Sequence, residues 1–113
     1  MKQVFTLPDI PPSVNTMFPT VGGRRVKSKS YTAWRTSAAW TIKAQHPEKV
    51  AGPVSVTIEM KRPTKNSDVD NRIKGALDVL TGIVFDDDKQ VMRVTAAWVG
   101  DLTGSRITVE TIG

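Results

Sequence analysis

The sequence predicts an α+β fold, a single domain over residues 1–113 in which a mixed β-sheet of about four to five strands carries two main helices. Two observations predict it. Segments of two-residue alternation outnumber segments of helical spacing, and they lie in runs rather than in regular βα repeats. A length of 113 residues, 39% hydrophobic and 24% charged, suits one modest core, neither a disordered tail nor a membrane segment.

The elements follow in order. "KQVFTLP" alternates Val4 and Thr6 against Phe5 and Leu7, a strand that Pro8 ends. "PPSVNTMFP" reads as an ordered loop, stiffened by two prolines, in which Ser13 and Asn15 bond nearby backbone. Gly22-Gly23 suits a hairpin turn. From Ser30, as N-cap, to about Gln45, Tyr31, Trp34, Ala38 and Thr41 or Ile42 recur at helical spacing, with Pro47 as the stop. "GPVSVTIEMKRP" has the clearest strand, with Val54, Val56, Ile58 and Met60 on one face and Ser55, Thr57, Glu59 and Lys61 on the other. After a polar, mobile "TKNS", a helix over 69–81 places Val69, Ile73, Ala76, Leu77 and Leu80 on one stripe, and Gly82 ends it. "VMRVTAAWVG" and "SRITVETI" are two closing strands joined at "DLTG".

Composition excludes several chemistries. With no cysteine, disulfides, thiolate metal sites and cysteine nucleophiles are absent, and the lone His46 cannot build a multi-histidine metal site. His46, just before Pro47, suits a helix end. No apolar run approaches the ~20 residues of a membrane span. The opening "MKQVFTLPDI" is short and polar for a signal peptide, so the expected location is the cytoplasm.

Charge is unevenly placed in a chain of net +5. Residues 66–88 hold Asp68, Asp70, Asp78, Asp86, Asp87 and Asp88 against Arg72 and Lys74, a net −4, which leaves +9 for the rest. A basic body suits a polyanion such as DNA or RNA, and Arg24, Arg25, Lys27 and Lys29 form its densest run. A compact acidic site on that body suits a divalent cation. Asp68 and Asp70 stand where a helix begins; one carboxylate there is an ordinary cap, but a second two residues away adds repulsion that a cation would offset. Lys74 lies one turn beyond Asp70, and Asp70, Lys74 and Asp78 form a stripe. It reads either as a surface ion pair worth about 0.3 to 0.5 kcal/mol or as a cation beside a phosphate in flight. The triple Asp86–Asp88 is a solvated turn or a third ligand source. Mg²⁺ takes such oxygen ligands, activates water and neutralises oxyanions at phosphorus.

The segment "DVDNRIKGALDVLTGIVFDDDKQV" at 68–91 resembles the signature of the RusA family of Holliday junction resolvases, with D-x-D-N, a Lys four residues after the second Asp, "ALD-L" and a later "DD-Q". The opening "LPDIPPSVNTMF" at 7–18 is similar to that family's "LP-PPS-N" start, and the match runs in order through nearly the whole chain. The resemblance implies a homodimeric, Mg²⁺-dependent endonuclease, often phage-encoded, that binds four-way DNA junctions and nicks two opposed strands. It implies that Asp68, Asp70 and Asp88 hold metal and that Lys74 is catalytic, with Asp87 as the alternative to Asp88 because this chain has an extra Asp86. Lys61, Arg62 and Lys65 correspond to the family's basic or polar residues before D-x-D, and Asn15 to its Asn after the double proline. With Arg24, Arg25, Lys27 and Lys29 the expected DNA contacts are complete. Two alternatives stay open: a non-catalytic nucleic-acid-binding module, and a nuclease acting on flaps, forks or RNA.

Overall fold

The computed structural model describes every residue except Phe18, Pro19, Val26 and Lys27, and the side chains of Thr16, Thr20, Val21 and Arg25 are likewise outside the description. Strand β1 (Lys2–Leu7) leads through the proline loop to a one-turn helix α1 (Val14–Met17), where the sequence suggested a loop. A hairpin of β2 (Thr20–Val21) and β3 (Arg24–Arg25) follows, and both turn glycines adopt positive φ, 58° at Gly22 and 80° at Gly23. The long helix α2 spans Lys29–Lys43, and strand β4 spans Val54–Met60. A 3-10 turn at Val69–Arg72 opens into helix α3 (Ile73–Leu80), and a second 3-10 turn at Asp88–Gln90 opens into β5 (Val91–Trp98). The last strand is β6 (Ser105–Thr111).

The main sheet has four strands in the order β1-β6-β4-β5, antiparallel at β1/β6 and β6/β4 and parallel at β4/β5. It is the expected mixed sheet at the lower end of the strand count, with the β2–β3 hairpin separate. The alternation read in β4 is the burial observed: Val54, Val56, Ile58 and Met60 are buried, and the residues between them are half-buried. In register with them, Phe5, Ile107 and Val109 extend the same apolar face. Ala38 and Ile42 of α2 and Ala76, Val79 and Leu80 of α3 cover it. Burying that surface is what holds the helices down.

Close approach fixes one corner. A side chain on Gly104 would collide with the Leu7 carbonyl and Pro8, and the neighbouring Ser105, itself buried, donates to the Asp9 carbonyl at 2.7 Å. The start of α3 packs against Pro11 and Pro12 of the proline loop at Gly75, and Arg72 donates to the Pro11 carbonyl at 2.9 Å.

The β4–α3–β5 crossover decides where the acids stand. Because β4 and β5 are parallel, with Val54 beside Val91 and Met60 beside Trp98, α3 must return along the sheet between them. Asp68 and Asp70 therefore stand near the end where β4 finishes, and Asp86–Asp88 near the end where β5 begins.

Candidate active site

Neither Asp68 nor Asp70 is used as a helix cap. Asp68 occupies the N-cap position of the 3-10 turn without a side-chain capping bond, and α3 itself begins behind Arg72, again with no side-chain cap. Both aspartates are exposed. Side-chain capping therefore does not account for these two acids, although Asp70 still lies in the first turn of the 3-10 segment, at its positive dipole end.

Asp87 is the opposite case. Its carboxylate accepts from the Lys89 backbone N–H at 2.9 Å and completes a capping box with Gln90. That backbone hydrogen bond, ahead of any charge, holds the Asp87 carboxyl below the usual carboxylate range. Gln90 clamps the whole turn. Its Oε1 accepts from Asp86 N at 3.0 Å and Asp87 N at 3.1 Å, while Nε2 donates to the carbonyls of Val50 and Gly52, each at 2.9 Å. Asp86 pairs with Lys49 at 2.9 Å on the exposed side. Asp88, in the first position of the turn, does not serve as its cap.

A cleft of about 510 Å³ runs beside α3 and is lined by Arg35, Lys74, Asp78, Thr81 and the three aspartates Asp86–Asp88. The structure thus brings Lys74 to the same hollow as the acidic triple. Lys74 is poised by Asp78, 3.7 Å away, whose other oxygen accepts from the Tyr31 hydroxyl at 2.9 Å. Tyr31 is buried, and burial first, then the Asp78 hydrogen bond and charge, push its phenol up to about 12 against a partial opposing effect of Arg35. Tyr31 also stacks on Trp34, ring centroids 6.5 Å apart.

Asp68 and Asp70 do not line this cleft. The eight residues of α3 lie between them and the acidic turn, about 12 Å of helix axis. Among the described residues no three acidic or histidine side chains stand together in a way that could hold a metal ion. The expected convergence of Asp68, Asp70 and Asp88 is therefore not present within one chain.

The expected DNA contacts divide. Arg24 and Lys29 are exposed, as are Lys61 and Lys65. Arg62 is exposed as well, and it donates to the Lys65 carbonyl at 2.6 Å. With Thr64 and Ser67 bonded to each other, "TKNS" forms a hydrogen-bonded turn. Lys27 and the Arg25 side chain lie outside the described residues. Asn15 is exposed on α1. Sequence reasoning did not single out Gln90, Arg35, Tyr31 or Arg72, the last with a buried Nε that has no hydrogen-bond partner. Only the "DD-Q" spacing pointed to Gln90.

Among the described residues no helix is long and apolar enough to cross a membrane. Comparison with curated proteins gives no match. The family model for endodeoxyribonuclease RusA matches residues 9–111, a span that includes the proline loop, both acidic groups, Lys74 and Gln90. The chain belongs to the RusA endodeoxyribonuclease family.

Proposed function

We propose that the protein is a Mg²⁺-dependent endonuclease that resolves four-way DNA junctions by paired nicks, acting as a homodimer. The observation that carries the reading is the cleft in which Lys74 shares a hollow with Asp86–Asp88, inside a chain that the family model matches over residues 9–111. The donor set contains carboxylates and neither sulfur nor imidazole, the chemistry of a hard, oxygen-seeking dication. Asp68 and Asp70, not used as caps, and Asp88, relieved of capping by Asp87, are the residues that would hold it.

The separation along α3 gives the dimer a chemical role. Asp68 and Asp70 of one copy, together with Asp88 of a second, would make up a set that one chain does not assemble. Two such sites related by a two-fold axis also match two symmetric cuts. When bound, magnesium supplies Lewis acidity for hydrolysis at phosphorus.

The chain's own residues do the rest. Lys74 places a positive charge where the phosphate gains negative charge, and Asp78, held by Tyr31, keeps the ammonium aimed into the cleft. Gln90 keeps the acidic turn in one position. Arg24, Lys29, Lys61 and Lys65 grip the backbone from exposed positions.

The test is a mobile four-way junction, a fork and a linear duplex, each incubated with and without Mg²⁺. Asp70→Asn and Asp88→Asn are expected to lower junction cutting by at least ~100-fold while leaving or tightening binding, because each removes a negative charge near phosphate. Salt-sensitive binding with no product at any Mg²⁺ concentration would favour a non-catalytic binding module. Cutting of the fork alone would move the substrate to flaps and forks.

A further inference from the structure

Helix α2 carries a surface that the cleft chemistry does not use. Its 15 residues include Lys29, Arg35 and Lys43 and no carboxylate. Arg35 lines the acidic cleft and also a neighbouring hollow of about 410 Å³, whose walls include Thr32, Thr36, Trp40 and Lys43. Thr32 and Thr36 belong in turn to a third hollow of about 590 Å³ that reaches Ser28 and Lys29. The first two share Arg35 and the last two share Thr32 and Thr36, so the three hollows lie side by side along α2 from the cleft. On it Trp40 is 70% exposed, unusual for the largest apolar side chain, and the Lys43 ammonium lies 5.8 Å from its ring centroid.

We infer that this face of α2 is a nucleic-acid track, on which Arg35 and Lys43 hold phosphates of the DNA strand leaving the acidic cleft and Trp40 offers a stacking surface between them. The inference rests on the nuclease reading only in taking DNA to enter that cleft. Three kinds of observation favour DNA as the occupant. The face is cationic without an internal counter-charge, which suits a polyanion and opposes a second copy of the same face, since two such faces would bring like charges together. It adjoins the cleft at Arg35. Its spacing also fits: Arg35 and Lys43 are eight residues apart, about 12 Å of helix axis, and one DNA strand advances about 3.4 Å per phosphate. The pair therefore spans about three to four nucleotides. An indole beside an ammonium is suited to a base or sugar with its phosphate, by stacking and cation–π attraction together.

The experiment measures binding to a labelled four-way junction by fluorescence anisotropy, without divalent metal, over a range of salt concentrations. Relative to the parent, the full-length Trp40→Ala/Lys43→Gln double variant is expected to bind about tenfold more weakly or worse. The plot of log affinity against log salt should become shallower by about one. Thr36→Lys, which adds a cation on an exposed turn of the track, should tighten binding and steepen that slope by about one. Unchanged affinity and slope in both variants overturn the inference. So does a double variant that binds normally but sediments differently from the parent, which would assign the face to contact between copies. A parent that binds DNA in this salt-dependent way but never cuts it with Mg²⁺ defeats the nuclease reading, and the binding data still judge the track.

Discussion

Asp87 and Asp88 are adjacent and chemically identical, yet their surroundings assign them different work. Asp87 accepts the Lys89 N–H and caps the turn, and Asp88 is not used as a cap, which is why the proposed function gives Asp88 to the ion. Gln90 fixes both by four hydrogen bonds, two from the turn's own N–H groups and two to Val50 and Gly52. Gln90→Ala is expected to destabilise the fold by about 1 to 3 kcal/mol, since two part-buried carbonyls lose their donor. Gln90→Glu keeps the acceptor and loses that donor, and it adds a charge beside three aspartates, so it should melt at least as early in urea. A Gln90→Glu midpoint equal to the parent's would refute the clamp. Tyr31 gives a pH signature. Its phenol ordinarily loses its proton near 10, and in the fold near 12, so its contribution to stability is complete below pH 10 and is lost as the pH rises through 12. The stability gap between parent and Tyr31→Phe should stay constant from pH 7 to 9 and narrow between pH 10 and 12, as read by urea unfolding at each pH. Asp68, Asp70 and Lys74 could be nominated as site residues because their signal is local spacing. The Tyr31–Asp78 bond joins residues 47 apart in sequence, and Gln90 reaches back 40 to Val50, so neither bond can be read from a short window, even though the "DD-Q" spacing marked Gln90 itself.

The N-cap of helix α2 lies two residues before the serine that its pattern nominates. Ser28, not Ser30, accepts from the Tyr31 N–H, at 3.0 Å, and the Ser28 N–H itself donates to the Met17 carbonyl at the end of α1. The stretch "KSKSY" offers two serines, and helical periodicity cannot choose between them; the choice was made by where α1 ends. Ser28→Ala should lower stability by about 1 kcal/mol, whereas Ser30→Ala should stay within about 0.5 kcal/mol of the parent. Equal effects in thermal melts would contradict this assignment. The other end of α2 follows the expectation for His46, which takes φ of 57° as the chain turns away from the helix. The helix expected over 69–81 is divided, its first turn tightened to 3-10 geometry where Arg72 reaches for Pro11. Strand β4 was read correctly in extent and facing because it is sandwiched between two partners, so its alternation is undiluted. Strand β5 lies at the sheet edge, where four consecutive residues from Met92 to Thr95 are exposed and burial no longer follows alternation.

The two edges of the sheet differ in a way that bears on assembly. On β1, the Gln45 amide donates to the Thr6 carbonyl at 2.9 Å and accepts its N–H at 3.0 Å, occupying part of that edge as a strand would. On β5, the register slips opposite Val54/Ser55, just after the acidic turn, and Met92 and Val94 are 63% and 36% exposed. For the proposed dimer, the exposed Met92 and Val94 mark β5 as the edge to test for contact with a second copy. Sequence nominated Asp68, Asp70 and Asp88 but did not show that α3 would lie between them, because spacing along a chain gives no distance across a crossover. That separation leads to an outcome that a site within one chain does not share. Asp70→Asn and Asp88→Asn chains, each inactive alone, are mixed under conditions that let subunits exchange. About half of the pairs formed then carry one of each. In such a pair one site combines both altered residues, while the other combines an intact Asp70 with an intact Asp88. The mixture should therefore regain single nicks at junctions without regaining paired cuts. It should also regain Mn²⁺ binding, read by electron paramagnetic resonance, to about one ion per mixed pair. A mixture as inert as its components by both measurements, beside a parent positive in each, would mean that every set of carboxylates comes from a single chain.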